Sequence, residues 1–146
     1  MWWRNVTLIY AVVFTAVGLL GFVPTFLSPP GEGVTLAIES FHGLLLGLFP
    51  VNLLHNLVHL LFGLWAFFAY FSGRLASRAY LRSVAVIYAV LAVVGLIPGL
   101  NTLFGLVPLH GNDIWLHALL AIVAGYVGYA VHEPEGEATT RAEWRA

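Results

Sequence analysis

Two short stretches of this sequence carry side chains able to do chemistry within an otherwise apolar chain. The first is Asn52-Leu53-Leu54-His55-Asn56-Leu57-Val58-His59; the second is Asp113-Ile114-Trp115-Leu116-His117. Residues four apart share one face of a helix. His55 and His59 therefore make one pair, and Asp113 and His117 another. Asn52 and Asn56 repeat the spacing on an overlapping face. Three neutral imidazoles and one carboxylate, brought together from two helices, would form a four-ligand site for a transition metal ion such as zinc, copper or iron. Haem is a second candidate cofactor for the same imidazoles. A ligating imidazole also needs an acceptor for its other N–H, and Asn52 or Asn56 could offer one. Glu39 and His42 add a Glu-x-x-His pair, the helical spacing used in carboxylate di-iron bundles. Only one such copy occurs, so a full di-iron set is missing. His110 is a further candidate ligand or gate residue.

Each of these residues also has a simpler role open to it. Asp113 follows Gly111-Asn112 at a helix start, where capping and the helix dipole favour a carboxylate. Asn52, just after Pro50, has the same capping role available. The histidines could join helices by hydrogen bonds where lipid supplies no hydrophobic drive. His132, beside an acidic tail, reads as a solvated interface residue.

The elements that must position these groups are four membrane-spanning helices. A spanning helix needs about 20 mostly apolar residues. Val6–Leu27 qualifies and ends at Ser28-Pro29-Pro30-Gly31. Val51–Phe71 follows Pro50 and ends at Ser72-Gly73. Ser83–Ile97 is shorter and extends back through Ala79 toward Leu75, with its arginines snorkelling. Asp113–Val131 ends before Glu133-Pro134. The expected fold is an all-α membrane protein, a four-helix bundle over residues 1–132, followed by a polar tail over 133–146 without stable structure. Val34–Phe49 places Thr35, Glu39 and His42 at helical spacing, which predicts a short interfacial helix in the first outer loop. Glycines at Gly18, Gly21, Gly63, Gly95, Gly125 and Gly128 suit close helix contact rather than a phosphate loop.

Composition agrees. Of 146 residues, 60% are hydrophobic and 9% charged, against about 25% charged in a soluble domain. There is no cysteine, which excludes disulfides and thiolate ligands. The net charge of −1 argues against a nucleic-acid partner. The first apolar stretch is too long for a signal-peptide core. All six basic residues are arginines: Arg4, Arg74, Arg78, Arg82, Arg141 and Arg145. The loops Ser28–Pro50 and Pro98–Asn112 contain none. The positive-inside rule then places both termini and the middle loop in the cytoplasm of a multi-pass protein of the inner (cell) membrane. Trp2, Trp3 and Tyr80 suit the inner interface and Trp115 the outer one. His55, His59 and His117 fall within about 15 Å of the outer helix ends, in the outer leaflet.

The chain also reads as its own duplicate. Ile9-Tyr10-Ala11-Val12 returns as Ile87-Tyr88-Ala89-Val90, and Val17-Gly18-Leu19 as Val94-Gly95-Leu96. Gly47-Leu48-Phe49-Pro50 returns as Gly105-Leu106-Val107-Pro108. His59 stands nine residues after Pro50 and His117 nine after Pro108, and His55 matches Asp113 by the same count. Both halves would enter from the cytoplasm, as parallel helical hairpins about an axis along the membrane normal.

The run Asn52–Gly63, the middle loop with Ser77-Arg78-Ala79-Tyr80, and Leu106–His117 resemble a family of small bacterial four-span proteins, domain of unknown function 4383. The resemblance covers nearly the whole chain up to the tail, and Gly-Asn-Asp-x-x-x-His is its most specific element. It implies four spans and no assigned activity, so no catalytic residue transfers.

The leading expectation is a histidine-lined polar pocket in the outer leaflet that binds a transition metal or small cofactor. One alternative is a structural or accessory subunit whose histidines form an interhelical hydrogen-bond network. Another is an intramembrane metal-dependent hydrolase with metal-bound water as nucleophile; enzymes of the ceramidase type use similar ligands on more spans. No nucleophile elbow or phosphate-binding motif points to an enzyme. Four spans without a broken helix leave little room for alternating access in one chain. The partners expected are the bilayer, further copies of the chain, or another membrane protein.

Overall fold

The computed structural model describes residues 2–31 and 35–132. The polar tail expected over 133–146 lies outside the described residues. Four helices carry the structure: α1 (Trp2–Leu20), α2 (Leu53–Ser72), α3 (Arg74–Gly95) and α4 (Asn112–Gly125). A π-helical turn, Tyr126–Ala130, continues α4. With that turn included in the fourth, all four are long and apolar enough to cross a membrane.

Local chemistry sets the helix ends. α1 stops at Leu20, seven residues before the expected end at Leu27. The Gly21 carbonyl accepts a hydrogen bond from Asn56 Nδ2 at 2.7 Å instead of extending the ladder. Pro24, which lacks an N–H, then opens a single 3-10 turn over Pro24–Phe26. Gly73 joins α2 to α3 at φ 108°, a conformation that a side chain disfavours. α3 starts at Arg74, one residue beyond the expected extension toward Leu75, so Arg74, Arg78 and Arg82 are helical and share one face. It ends at Gly95, two residues short of Ile97.

The loop between α1 and α2, expected as the first outer loop, corrects the expectation of an interfacial helix. Its described residues contain a three-stranded antiparallel sheet instead: β1 (Leu27–Ser28), β2 (Gly43–Leu45) and β3 (Phe49–Val51). Leu27 pairs with Leu45, and Leu45 with Phe49. Phe41 and Leu46 have φ of 55° and 54°, which breaks any helix between Thr35 and Phe49. Gly43 lies against the Ser28 carbonyl oxygen, where a Cβ would come within 2.7 Å. The loop between α3 and α4, expected as the second outer loop, bends through three consecutive left-handed residues, Leu103, Phe104 and Gly105. The two loops meet where Ala37 N–H donates to Gly105 O at 2.8 Å. Together they close the end of the bundle that holds the N-termini of α2 and α4.

Helices α1 and α2 form one close hairpin and α3 and α4 another. Small residues permit this approach: Gly18 abuts Leu60 and the Asn56 backbone, and Gly95 abuts Leu109 and Ile114. The shared core is aromatic, built from Tyr10, Phe14, Tyr80 and Tyr88 with Leu81 and Val84. Tyrosine hydroxyls there donate to backbone carbonyls: Tyr10 to Leu120 at 2.7 Å and Tyr80 to Phe62 at 3.3 Å. Tyr80 and Trp3 are therefore core residues, 1% and 5% exposed, not the interface anchors their types suggest. Trp2 and Trp115 do remain exposed.

Candidate metal centre between the second and fourth helices

The N-terminus of α2 is organised by Asn52. Its side-chain oxygen accepts from the His55 backbone N–H at 3.0 Å, an N-cap that satisfies one of the free donors of the first turn. Its amide nitrogen donates to Ile38 O at 3.0 Å and to Leu106 O at 2.8 Å. One buried side chain thus ties the helix to both outer loops. Asn56 donates to Gly21 O and so binds α2 to the end of α1. Both asparagines position backbone; neither hydrogen-bonds a histidine ring among the described residues.

His55 and His59 then point from one face of α2 into the bundle, with ring centroids 4.3 Å apart. α4 brings His117 to them. One nitrogen from each of the three rings lies within 4.8 Å of the others, and all three residues are buried. Asp113, one turn before His117, is 2% exposed; its Oδ2 stands 3.6 Å from His55 Nε2. That separation is too long for a hydrogen bond.

Two aromatic residues that the sequence did not single out as site residues pack against the histidines, and one of them, Tyr88, lines the cavity beside them. Phe14 meets His59 edge-on at 5.3 Å, and Tyr88 meets His117 edge-on at 5.0 Å. Phe14 and Tyr88 stack on each other, 5.3 Å apart. Nothing within the apolar runs of α1 and α3 distinguishes these rings from their neighbours; the recurring Ile-Tyr-Ala-Val run was the only signal at Tyr88. The outer wall is Leu103, Val107 and Leu109 from the second outer loop. Between them lies a cavity of about 70 Å³ lined by all three histidines. A water molecule occupies about 30 Å³ of liquid, so the space suits an ion with one or two waters.

The polar atoms here are unpaired. His55 Nδ1 and Nε2, His59 Nδ1, His117 Nδ1 and Asp113 Oδ2 are all buried without a hydrogen-bond partner. Each such group costs about 1–3 kcal/mol if nothing satisfies it. A metal ion on three imidazole nitrogens and a carboxylate oxygen would satisfy most of them at once. Tetrahedral coordination at ~2.1 Å sets ligand atoms ~3.4 Å apart, so binding would draw the rings slightly inward.

The remaining expected residues lie elsewhere. Glu39 is exposed in the first loop and outside the three-histidine group. Without the interfacial helix, Glu39 and His42 share no helical face; they close a turn in which His42 N–H donates to Glu39 O at 3.0 Å. His42 lies near His110, whose imidazole is held below its ordinary value first by burial and then by the neighbouring His42 charge. His110 Nε2 is buried and unpaired, but belongs to the loop rather than to the triad.

No curated protein and no solved structure matches this chain. The family model described as domain of unknown function (DUF4383) matches residues 4–130. With that match covering both outer loops and all four helices, the chain belongs to the DUF4383 family.

Proposed function

We propose that this chain is an integral membrane protein that binds one transition metal ion in the outer half of its bundle. His55, His59 and His117 supply nitrogen ligands and Asp113 the fourth. The observation that carries this reading is the convergence of three buried imidazoles from two helices with unpaired ring nitrogens. A purely structural network would pair those nitrogens across the bundle, and no such pair occurs among the described residues. The cavity of about 70 Å³ also favours an ion over haem, since cofactor pockets span about 300–1,000 Å³. The ligand set, without thiolate, suits zinc first and copper(II) or iron(II) next.

A parallel duplication is part of the proposal and explains why the site sits between the hairpins. Gly18 packs on Asn56, three residues before His59; Gly95 packs on Ile114, three residues before His117. Tyr10 donates to the Leu120 carbonyl, and its counterpart Tyr88 meets Phe62 edge-on at 5.5 Å; Leu120 and Phe62 each stand three residues after their histidine. The arginines of α3 lie at the opposite end, so the positive-inside rule puts the centre toward the extracytoplasmic face.

Untagged protein, purified in mild detergent without chelator, tests the reading. Elemental analysis should find about one zinc, copper or iron per chain. His59→Ala and His117→Ala should lose it while remaining folded by circular dichroism. Metal-free protein that takes up none of these ions on addition would sink the proposal.

A further inference from the structure

The opposite end of the bundle carries a second site, independent of the histidines. The last carbonyls of a helix lack intrahelical donors. Here the π-helical turn after α4 leaves the Gly128 carbonyl to two arginines: Arg78 Nε donates at 3.1 Å and Arg82 Nε at 2.9 Å. Gly128 has no Cβ, which would come within 3.1 Å of the Arg82 side chain. The Arg82 guanidinium also lies over the Tyr129 ring, 4.8 Å from its centroid. These contacts orient the charge without neutralising it. The carboxylates among the described residues, Glu39 and Asp113, both lie at the far end.

Beside this guanidinium runs an open groove lined by Arg82, Ser83, Val86, Ile87 and Tyr129. Its two ends differ in chemistry. Arg82 and Tyr129 offer hydrogen-bond donors at one end, beside the Ser83 hydroxyl, which donates to Ala79 O at 3.0 Å and keeps its oxygen as a polar lining atom. Val86 and Ile87 stand one helical turn further along α3, about 6 Å toward the membrane centre, and both are exposed. Polar donors at the interface and an apolar wall leading inward match one molecule better than any other: a phospholipid, with its phosphate on the arginine and an acyl chain along α3. A soluble anion would use only the first half of the groove, and an acidic peptide would leave Val86 and Ile87 against lipid.

We infer that Arg82, Ser83 and Tyr129, with Val86 and Ile87, form a binding site for one anionic phospholipid of the cytoplasmic leaflet. Arg78 lies beside it on the same helix face and adds to the field. Guanidinium favours phosphate because its planar fork matches two phosphate oxygens. Net lipid charge matters because a basic residue near the membrane surface draws anionic lipid more strongly than zwitterionic lipid.

Native mass spectrometry of the full chain in detergent tests this, titrating dioleoyl phosphatidylglycerol, dioleoyl phosphatidylcholine and inorganic phosphate. One phosphatidylglycerol per chain should be retained, with phosphatidylcholine held about tenfold more weakly. Arg82→Gln should weaken phosphatidylglycerol about fivefold. Val86→Trp, which fills the apolar half and leaves every charge in place, should weaken it comparably. Arg4→Gln, which removes the same charge at the same end but outside the groove, should leave the retained lipid in place. If Arg82→Gln does not fold, Val86→Trp decides. Equal retention of both lipids, insensitivity to Val86→Trp, full displacement by inorganic phosphate, or binding that appears only after the acidic residues of 133–146 are neutralised would each overturn the assignment.

Discussion

His55 Nε2 and Asp113 Oδ2 stand 3.6 Å apart, each in the opening turn of a different helix. By position the two residues are counterparts: each lies four residues before a second histidine, His59 or His117. Under the proposed duplication, an imidazole on one side and a carboxylate on the other would give an asymmetric donor set. In the proposed centre Asp113 then has two duties, lowering the cost of a buried cation and holding its place at the helix N-terminus.

Asp113→Asn separates these duties, because it keeps shape and removes charge. Metal affinity should fall about 10–100-fold, the range seen when a carboxylate supporting a metal site is lost. Competition with a chromophoric chelator measures it. Affinity equal to that of the unaltered protein would restrict Asp113 to its place at the helix N-terminus.

Gly95→Ala tests the packing that brings α4 to α3. The new Cβ would collide with the Leu109 carbonyl and lie 3.0 Å from Ile114 Cγ1. Leu109 is also part of the outer wall of the histidine cavity. Destabilisation of about 1–3 kcal/mol is expected from such overpacking, read from unfolding in sodium dodecyl sulfate. Gly31→Ala, with nothing within 4 Å, is the control and should stay within about 0.5 kcal/mol.

The outer loops should loosen in mild acid. Burial, then the neighbouring His42 charge, holds His110 below its ordinary value of 6.5. The unfolded loop therefore takes up a proton before the folded loop does. Stability contributed by neutral His110 is full above pH 6.5 and declines as pH falls below it. Exchange protection of the Leu109 amide, bonded to Asn101 O at 2.8 Å, should drop between pH 7 and 5.5 after correction for intrinsic rates. His110→Gln should remove most of that dependence; an unchanged dependence would assign it to another group.

Orientation can be read by impermeant thiol labelling in intact cells, since the chain has no cysteine of its own. Pro98→Cys should label and Ser72→Cys should not; both positions are exposed. Ser77, though in the arginine-rich stretch, is unsuitable. It is fully buried, with its hydroxyl donating to Ala69 O and its carbonyl accepting from Thr7. Labelling at Ser72 alone would invert the topology.

The sequence alone determined the local features. Four apolar runs of spanning length became four helices because the 3.6-residue period and hydropathy need no tertiary partner to be read. The same period placed His55 with His59, and Asp113 with His117, each pair on one face. Asn52 as a cap was equally legible, since capping involves residues three apart. What joins one helix to another was decided by tertiary structure. His117 reaches the α2 histidines through helix packing, with close approaches at Gly18 and Gly95, and the stacked Phe14 and Tyr88 rings meet His59 and His117 edge-on. Neither the glycine pattern nor the ring types specify that geometry in isolation. The first outer loop shows the limit most clearly. Helical spacing of Thr35, Glu39 and His42 was real, but strand pairing of Leu27 with Leu45 and left-handed turns at Phe41 and Leu46 prevailed. Backbone hydrogen bonds between distant segments leave no periodic trace in a single sequence, so that sheet, and the exclusion of Glu39 from the triad, emerged only in three dimensions.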